Sequence, residues 1–126
     1  MIPSGWKTVT LDYDRDTEFT GDDADRFSEL VDIKGHYEYV TVIIPALDSS
    51  GVVSIYIQKD EKIATVPIIL HVLDDDATGS FAHSTSSGAG SIAVTFRLGT
   101  AQWFRIHVAA DQAANRTFYV QGFNRG

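Results

Sequence analysis

Ser91–Val108 reads SIAVTFRLGTAQWFRIHV, and two short alternating runs lie within it. In the first, Ile92, Val94, Phe96 and Leu98 fall on one face, with Ala93, Thr95 and Arg97 on the other. In the second, Phe104, Ile106 and Val108 alternate with Trp103, Arg105 and His107. A period of two, sustained on both sides of Gly99-Thr100-Ala101-Gln102, predicts two half-buried strands joined by a short loop, a hairpin. Branched and aromatic side chains suit a pleated surface with one dry and one wet face. By that parity Trp103, Arg105 and His107 belong to the wet face.

The rest of the chain supplies strands to lay against this pair. Trp6–Tyr13 alternates, with Val9, Leu11 and Tyr13 inward. Residues 14–26 are polar and acidic, with Phe19 as the one large apolar anchor, and predict a long surface loop. Thr20 with Asp23 could cap a short helix carrying Ala24, Phe27, Leu30 and Val31. The preferred reading makes SELVDIKG, residues 28–35, a short strand. Tyr37–Pro45 is a clear strand with Val40, Val42 and Ile44 inward; Pro45, lacking an N–H, should end its pairing. After a turn at Leu47–Gly51, Val52–Lys59 places Val53, Ile55 and Ile57 inward and Ser54, Tyr56 and Gln58 outward. Asp60-Glu61-Lys62 is a charged tip. Val66–Leu73 (VPIILHVL) is nearly all apolar, as in a strand covered on both faces, or an edge strand given Pro67. From Asp74 to Gly90 small and polar residues predominate, and HSTSSGAG (83–90) predicts a flexible segment tethered by Phe81. Residues 110–116 form a polar connection, and Thr117–Phe123 closes the fold. Seven to eight strands without a long helix or a βαβ pattern predict an all-β protein, an antiparallel two-sheet β-sandwich of jelly-roll type, as a single domain over residues 1–126.

Composition narrows the chemistry. The chain has 126 residues, a length that allows one real core, and 44% hydrophobic content argues against wholesale disorder. With no cysteine, disulfides and thiolate metal sites are excluded. No basic-then-apolar leader opens the sequence, and no run approaches the roughly 18 apolar residues that cross a bilayer, so neither export nor a membrane is expected. The net charge of −7 is lopsided: the acids crowd into residues 1–76, whereas residues 77–126 hold Asp111 against Arg97, Arg105, Arg116 and Arg125. An acidic chain is a poor partner for nucleic acid, which needs a basic face to release counterions. The asymmetry can serve solubility alone, or mark a dipolar module whose basic side docks on an acidic partner.

No catalytic constellation emerges. Asp12, Asp14, Asp16 and Asp23 echo a calcium loop, yet Thr17 stands where that loop needs glycine and Asp23 where it needs glutamate, so a solvated acidic loop is the reading adopted. Of Asp74-Asp75-Asp76, Asp74 and Asp76 could share a face as an acid and base pair, but no cleft of glycosidase type accompanies them. His36, His71, His83 and His107 are scattered without metal-ligand spacing. Ser84, Ser86 and Ser87 lack a nucleophile elbow, and Asn115-Arg116-Thr117 is a formal glycosylation sequon. The sequence therefore predicts no enzyme, no cofactor and no metal. Contact is assigned to Trp103, Arg105 and His107 with Tyr56, because Trp and Arg bury much area while keeping a polar handle.

Two resemblances bear on role. SELVDIKG, YEYVTVIIP, GTAQWFRIHV and TFYVQGF, over residues 28–126, resemble the strand order of galactose-binding-like jelly rolls of the discoidin type, without that family's terminal cysteine pair or binding spikes. This likeness implies a carbohydrate-binding module, with Trp103, Tyr56 or Tyr119 as a stacking platform. VIIPALDSSGVVSIYIQKD, GSIAVTFRLGTAQWFRI and ADQAANRTFYVQG resemble strand and loop phrases of small structural proteins of tailed-bacteriophage virions. This second likeness implies a capsid decoration or cement protein, located in the virion, oligomeric, and bound to the major capsid protein or another virion protein without catalysis. It is the expectation carried forward, with the carbohydrate module as the alternative.

Overall fold

The computed structural model describes residues 3–12, 26–48, 51–62, 65–70, 84–86 and 91–124. Nine strand segments run in order: β1 (Lys7–Leu11), β2 (Val31–Asp32), β3 (Tyr39–Ile44), β4 (Val52–Gln58), β5 (Ile68–Ile69), β6 (Ser84–Ser86), β7 (Ile92–Arg97), β8 (Trp103–Val108) and β9 (Arg116–Phe123). The first sheet has the order β1-β9-β3-β7 and the second β2-β8-β4-β5, with β6 also on β4. Ile69 and Ile68 pair with Tyr56 and Ile57, while Ser84–Ser86 pair with Ser54–Val52, so β5 and β6 are two pieces of one edge position. Counted by position, the sandwich has two antiparallel sheets of four. Successive strands change sheet at every step except β4 to β5–β6 and on through β6, which is the winding of a jelly roll.

The inward rows follow the predicted parity. Val9 and Leu11 from β1, Val40, Val42 and Ile44 from β3, and Phe118 and Val120 from β9 are buried in the first sheet. Val53, Ile55, Phe104, Ile106 and Val108 meet them from the second, in one continuous cluster. Each such side chain contributes about 1.5–3 kcal/mol by leaving water. Gly122 is a close-approach position: a Cβ there would come within 2.8 Å of Ile33 Cδ1 and Tyr37 Cγ.

Three expectations are corrected and one open alternative is resolved. The runs flanking Gly99 are strands, but they do not form a hairpin: β7 pairs with β3, and β8 pairs with β4 and β2. Leu98 and Gly99 both donate to Glu38 O, and Thr100 donates to Tyr37 O, so the connection stays tied to the chain before β3. Gly99 (φ 69°) and Thr100 (φ 66°) then turn it across to the other sheet. Alternation reports which side of a strand is dry, and both arrangements satisfy it. Of the two readings of VPIILHVL, its described part, residues 66–70, takes the edge strand that Pro67 allowed, with Ile68 65% exposed. Within the segment read as flexible, Ser84–Ser86 pairs with β4, since ladder bonds use backbone groups and need no large side chains. Of the stripe read as wet, Arg105 and His107 are buried and Trp103 is half-buried; Ser54 and Gln58, which were placed outward beside it, are buried as well. Tyr13, Phe19 and Phe81 lie outside the described residues.

Candidate functional site

The four residues assigned to contact do come together. In register, Tyr56 faces Arg105, Ser54 faces His107 and Gln58 faces Trp103, all on the outer side of the second sheet. Arg105, 0% exposed, and His107, 7% exposed, lack the exposure expected of them, while Tyr56 and Trp103 are half-buried. Phe27 packs on this row, with ring centroids 4.8 Å from Tyr56 and 4.6 Å from His107, and the Tyr56 and His107 rings are 4.9 Å apart. Aromatic and imidazole rings thus stack on one another here.

The reason lies in how β2 meets β8. Val31 pairs with Phe104, and Phe27 bridges His107, so residues 28–30 oppose only Arg105 and Ile106. One extra residue on one strand is a β-bulge. Ser28 N donates to Ile106 O at 2.8 Å, as in a regular antiparallel pair, but the return bond differs: Ile106 N donates to the Ser28 hydroxyl at 2.9 Å. The freed Ser28 carbonyl accepts from Arg105 Nη1 at 3.0 Å, and Gln58 Oε1 accepts from Arg105 Nε at 2.8 Å. Glu29 N, turned away from β8, donates to Thr10 O in the first sheet. Arg105 is therefore a buried structural cation that holds the bulge, and the bulge ties the two sheets together. Period-two reasoning had no signal for this, because it cannot see a neighbouring segment laid over a face. The Trp103 indole Nε1 is buried without a hydrogen-bond partner.

The dipolar reading meets the same kind of geometry. Arg116 pairs with Asp48 at 2.9 Å and donates to Gln112, and Arg97 lies 3.6 Å from Glu38, so the described arginines of the second half have partners within the chain. Asp48 is held below the usual carboxylate range, first by the Ala113 N–H and then by Arg116, against a desolvation penalty. Among the described residues no group of three or more His, Asp or Glu could hold a metal. Asp14, Asp16, Asp23, Asp74–Asp76, His71 and His83 lie outside them, as does Ser87; His36 Nδ1 is 3.0 Å from Thr100 O. Among the described residues no helix is long and apolar enough to cross a membrane.

Among the described residues, the outer face of the first sheet and the β5 edge both present open surface. On the first sheet, the outward positions of β9 are Thr117, Tyr119, Gln121 and Phe123, beside Tyr39, Thr41 and Ile43 of β3. Tyr119 is 44% exposed, and Tyr39 stacks on Phe123 at 5.3 Å. No acid occupies an outward position within these strands or on β1 and β7. On the second sheet, the β5 edge exposes Val66 (55%), Ile68 (65%) and Ile69 (39%) beside the buried Pro67. Compared with protein-family models, with characterised proteins and with solved structures, the chain matches none.

Proposed function

We propose that this chain is a non-enzymatic virion structural protein, a decoration or cement protein that binds the capsid lattice of a tailed bacteriophage. The observation that carries the reading is the apolar edge at Val66, Ile68 and Ile69. A free strand edge offers unpaired backbone donors and acceptors, and exposed isoleucines add area that gains by leaving water. Such an edge suits a protein partner that adds a strand or packs across it. The jelly-roll winding, which viral capsid and lectin domains share, and the likeness of its strand phrases to virion proteins point the same way, as analogy. Lattice binding stabilises the folded state by mass action and favours an oligomer.

The test is biochemical. Gradient-purified particles should contain the chain at fixed stoichiometry, and its absence from them ends the proposal. Ile68→Lys with Ile69→Lys should leave the isolated protein folded, because both side chains face solvent, yet abolish its retention on particles. Full retention by the double variant would show that another surface does the binding.

A further inference from the structure

At the start of β1 and just past the end of β2, Ser4, Gly5, Trp6, Lys7, Ile33 and Lys34 line an open pocket of about 230 Å³. We infer that this pocket binds a sugar bearing a carboxylate, as the end residue of an anionic glycan. The inference goes beyond lattice binding and does not depend on it, since it uses neither β5 nor the first sheet's outer face.

The chemistry of the walls selects the ligand. Trp6 is 51% exposed, a large ring left in water at a pocket rim. A flat indole suits the C–H face of a pyranose, which leaves the hydroxyl edge hydrated through the open mouth. Two ammonium groups come from opposite sheets. Lys7 reaches from β1 to donate to Asp32 O at 2.5 Å, which uses one of its three donors. Lys34 is exposed, and its backbone sits at φ 56°, a conformation uncommon outside glycine. That turn is held by Asp32, whose Oδ1 accepts from Lys34 N at 2.8 Å and from Gln102 Nε2 at 3.0 Å. The Asp32 carboxylate is thereby held by fixed partners close to the charges of Lys7 and Lys34, and no acid is among the described lining residues. In a chain of net charge −7, two lysines around a bare tryptophan form a local exception. Phosphate fits less well. The described lining residues include no arginine fork, and the Ser4 groups are already engaged: Ser4 Oγ accepts from Gly122 N, and its carbonyl accepts from Gln121 Nε2. Asp32 meets part of the charge of Lys7 and Lys34 and leaves the trio with one net positive charge, which a ligand carboxylate would meet and a neutral sugar would not.

The experiment titrates the full chain with methyl glucuronide, methyl glucoside, benzoate and acetate, following the Trp6 indole N–H resonance and the heat of binding. Saturable binding of the glucuronide, with the glucoside, benzoate and acetate at least about tenfold weaker, supports the assignment. Trp6→Ala and Lys34→Gly should each weaken the glucuronide by about tenfold, and added salt should weaken it further. Glycine takes φ 56° without strain, so Lys34→Gly removes the ammonium and keeps the turn. Absence of glucuronide binding overturns the inference. So does equal binding of glucoside, benzoate or acetate, or glucuronide affinity unchanged in both variants while the amide spectrum stays folded.

Discussion

Replacing Ser28 by alanine removes one oxygen from a fully buried site and tests the bulge directly. The hydroxyl accepts from Ile106 N and donates to Glu29 O, both at 2.9 Å. In Ser28→Ala the Ile106 N–H loses its acceptor at a fully buried position, which costs about 1–3 kcal/mol. The chain has one escape: the bulge could flatten so that the Ser28 carbonyl takes the Ile106 N–H. That carbonyl, however, is the acceptor of Arg105 Nη1, so the escape moves the deficit onto a buried cation, where it is at least as large. Either path predicts a loss of about 2 kcal/mol, and for a chain of this size a fall in Tm of about 6–10 °C. Urea denaturation with an unchanged m value is the assay, and Thr41→Val is the control. Thr41 Oγ1 lies 3.2 Å from Thr95 Oγ1 on the open face, so its loss should stay within about 0.5 kcal/mol. A Ser28→Ala protein as stable as that control would refute the account of the bulge.

Gly122→Ala should destabilise by about 1–3 kcal/mol in the same assay, because the new methyl meets both Ile33 and Tyr37, and two neighbours must move together. Trp103→Phe should cost less than about 1 kcal/mol despite the smaller ring, since it also removes a buried N–H that has no acceptor. Acid should destabilise the fold from a defined side. Asp32, Asp48 and Asp60 all titrate below the reference of 3.8, held down chiefly by the Gln102 amide, the Ala113 N–H and the Thr65 hydroxyl respectively. A depressed carboxylate contributes stability that is fully present above its unfolded pKa and is lost as pH falls through its folded value. Stability should therefore drop as pH falls below about 4, and Asp32→Asn should flatten that slope in a urea series against pH.

The strands themselves were legible because their evidence is local. Val40, Val42 and Ile44 alternate in the sequence and are fully buried in the structure, and Pro45 marks the end of β3. Edge character was half legible: Pro67 allowed it, but only the exposure of Ile68 and Ile69 decided it. The contact row was misread for a definite reason. Trp103, Arg105 and His107 have the right parity for an outward face, and they do point away from the main core, yet Phe27 and the bulge after it lie against that face. Nothing in the order of residues near Arg105 announces that Ser28, 77 positions away, will supply its acceptor.

From its residues alone the chain determined an all-β sandwich, because a period of two makes every run bury one side and each buried row then needs another to cover it. Which runs are neighbours was decided only in three dimensions. The left-handed pair Gly99-Thr100 sends β8 to the opposite sheet, an extra residue just before β2 aims Ser28 at Arg105, and Gly122 lets Ile33 and Tyr37 of the β2–β3 connection lie close against β9. These are relations between distant segments, with energies that exist only once both partners are in place.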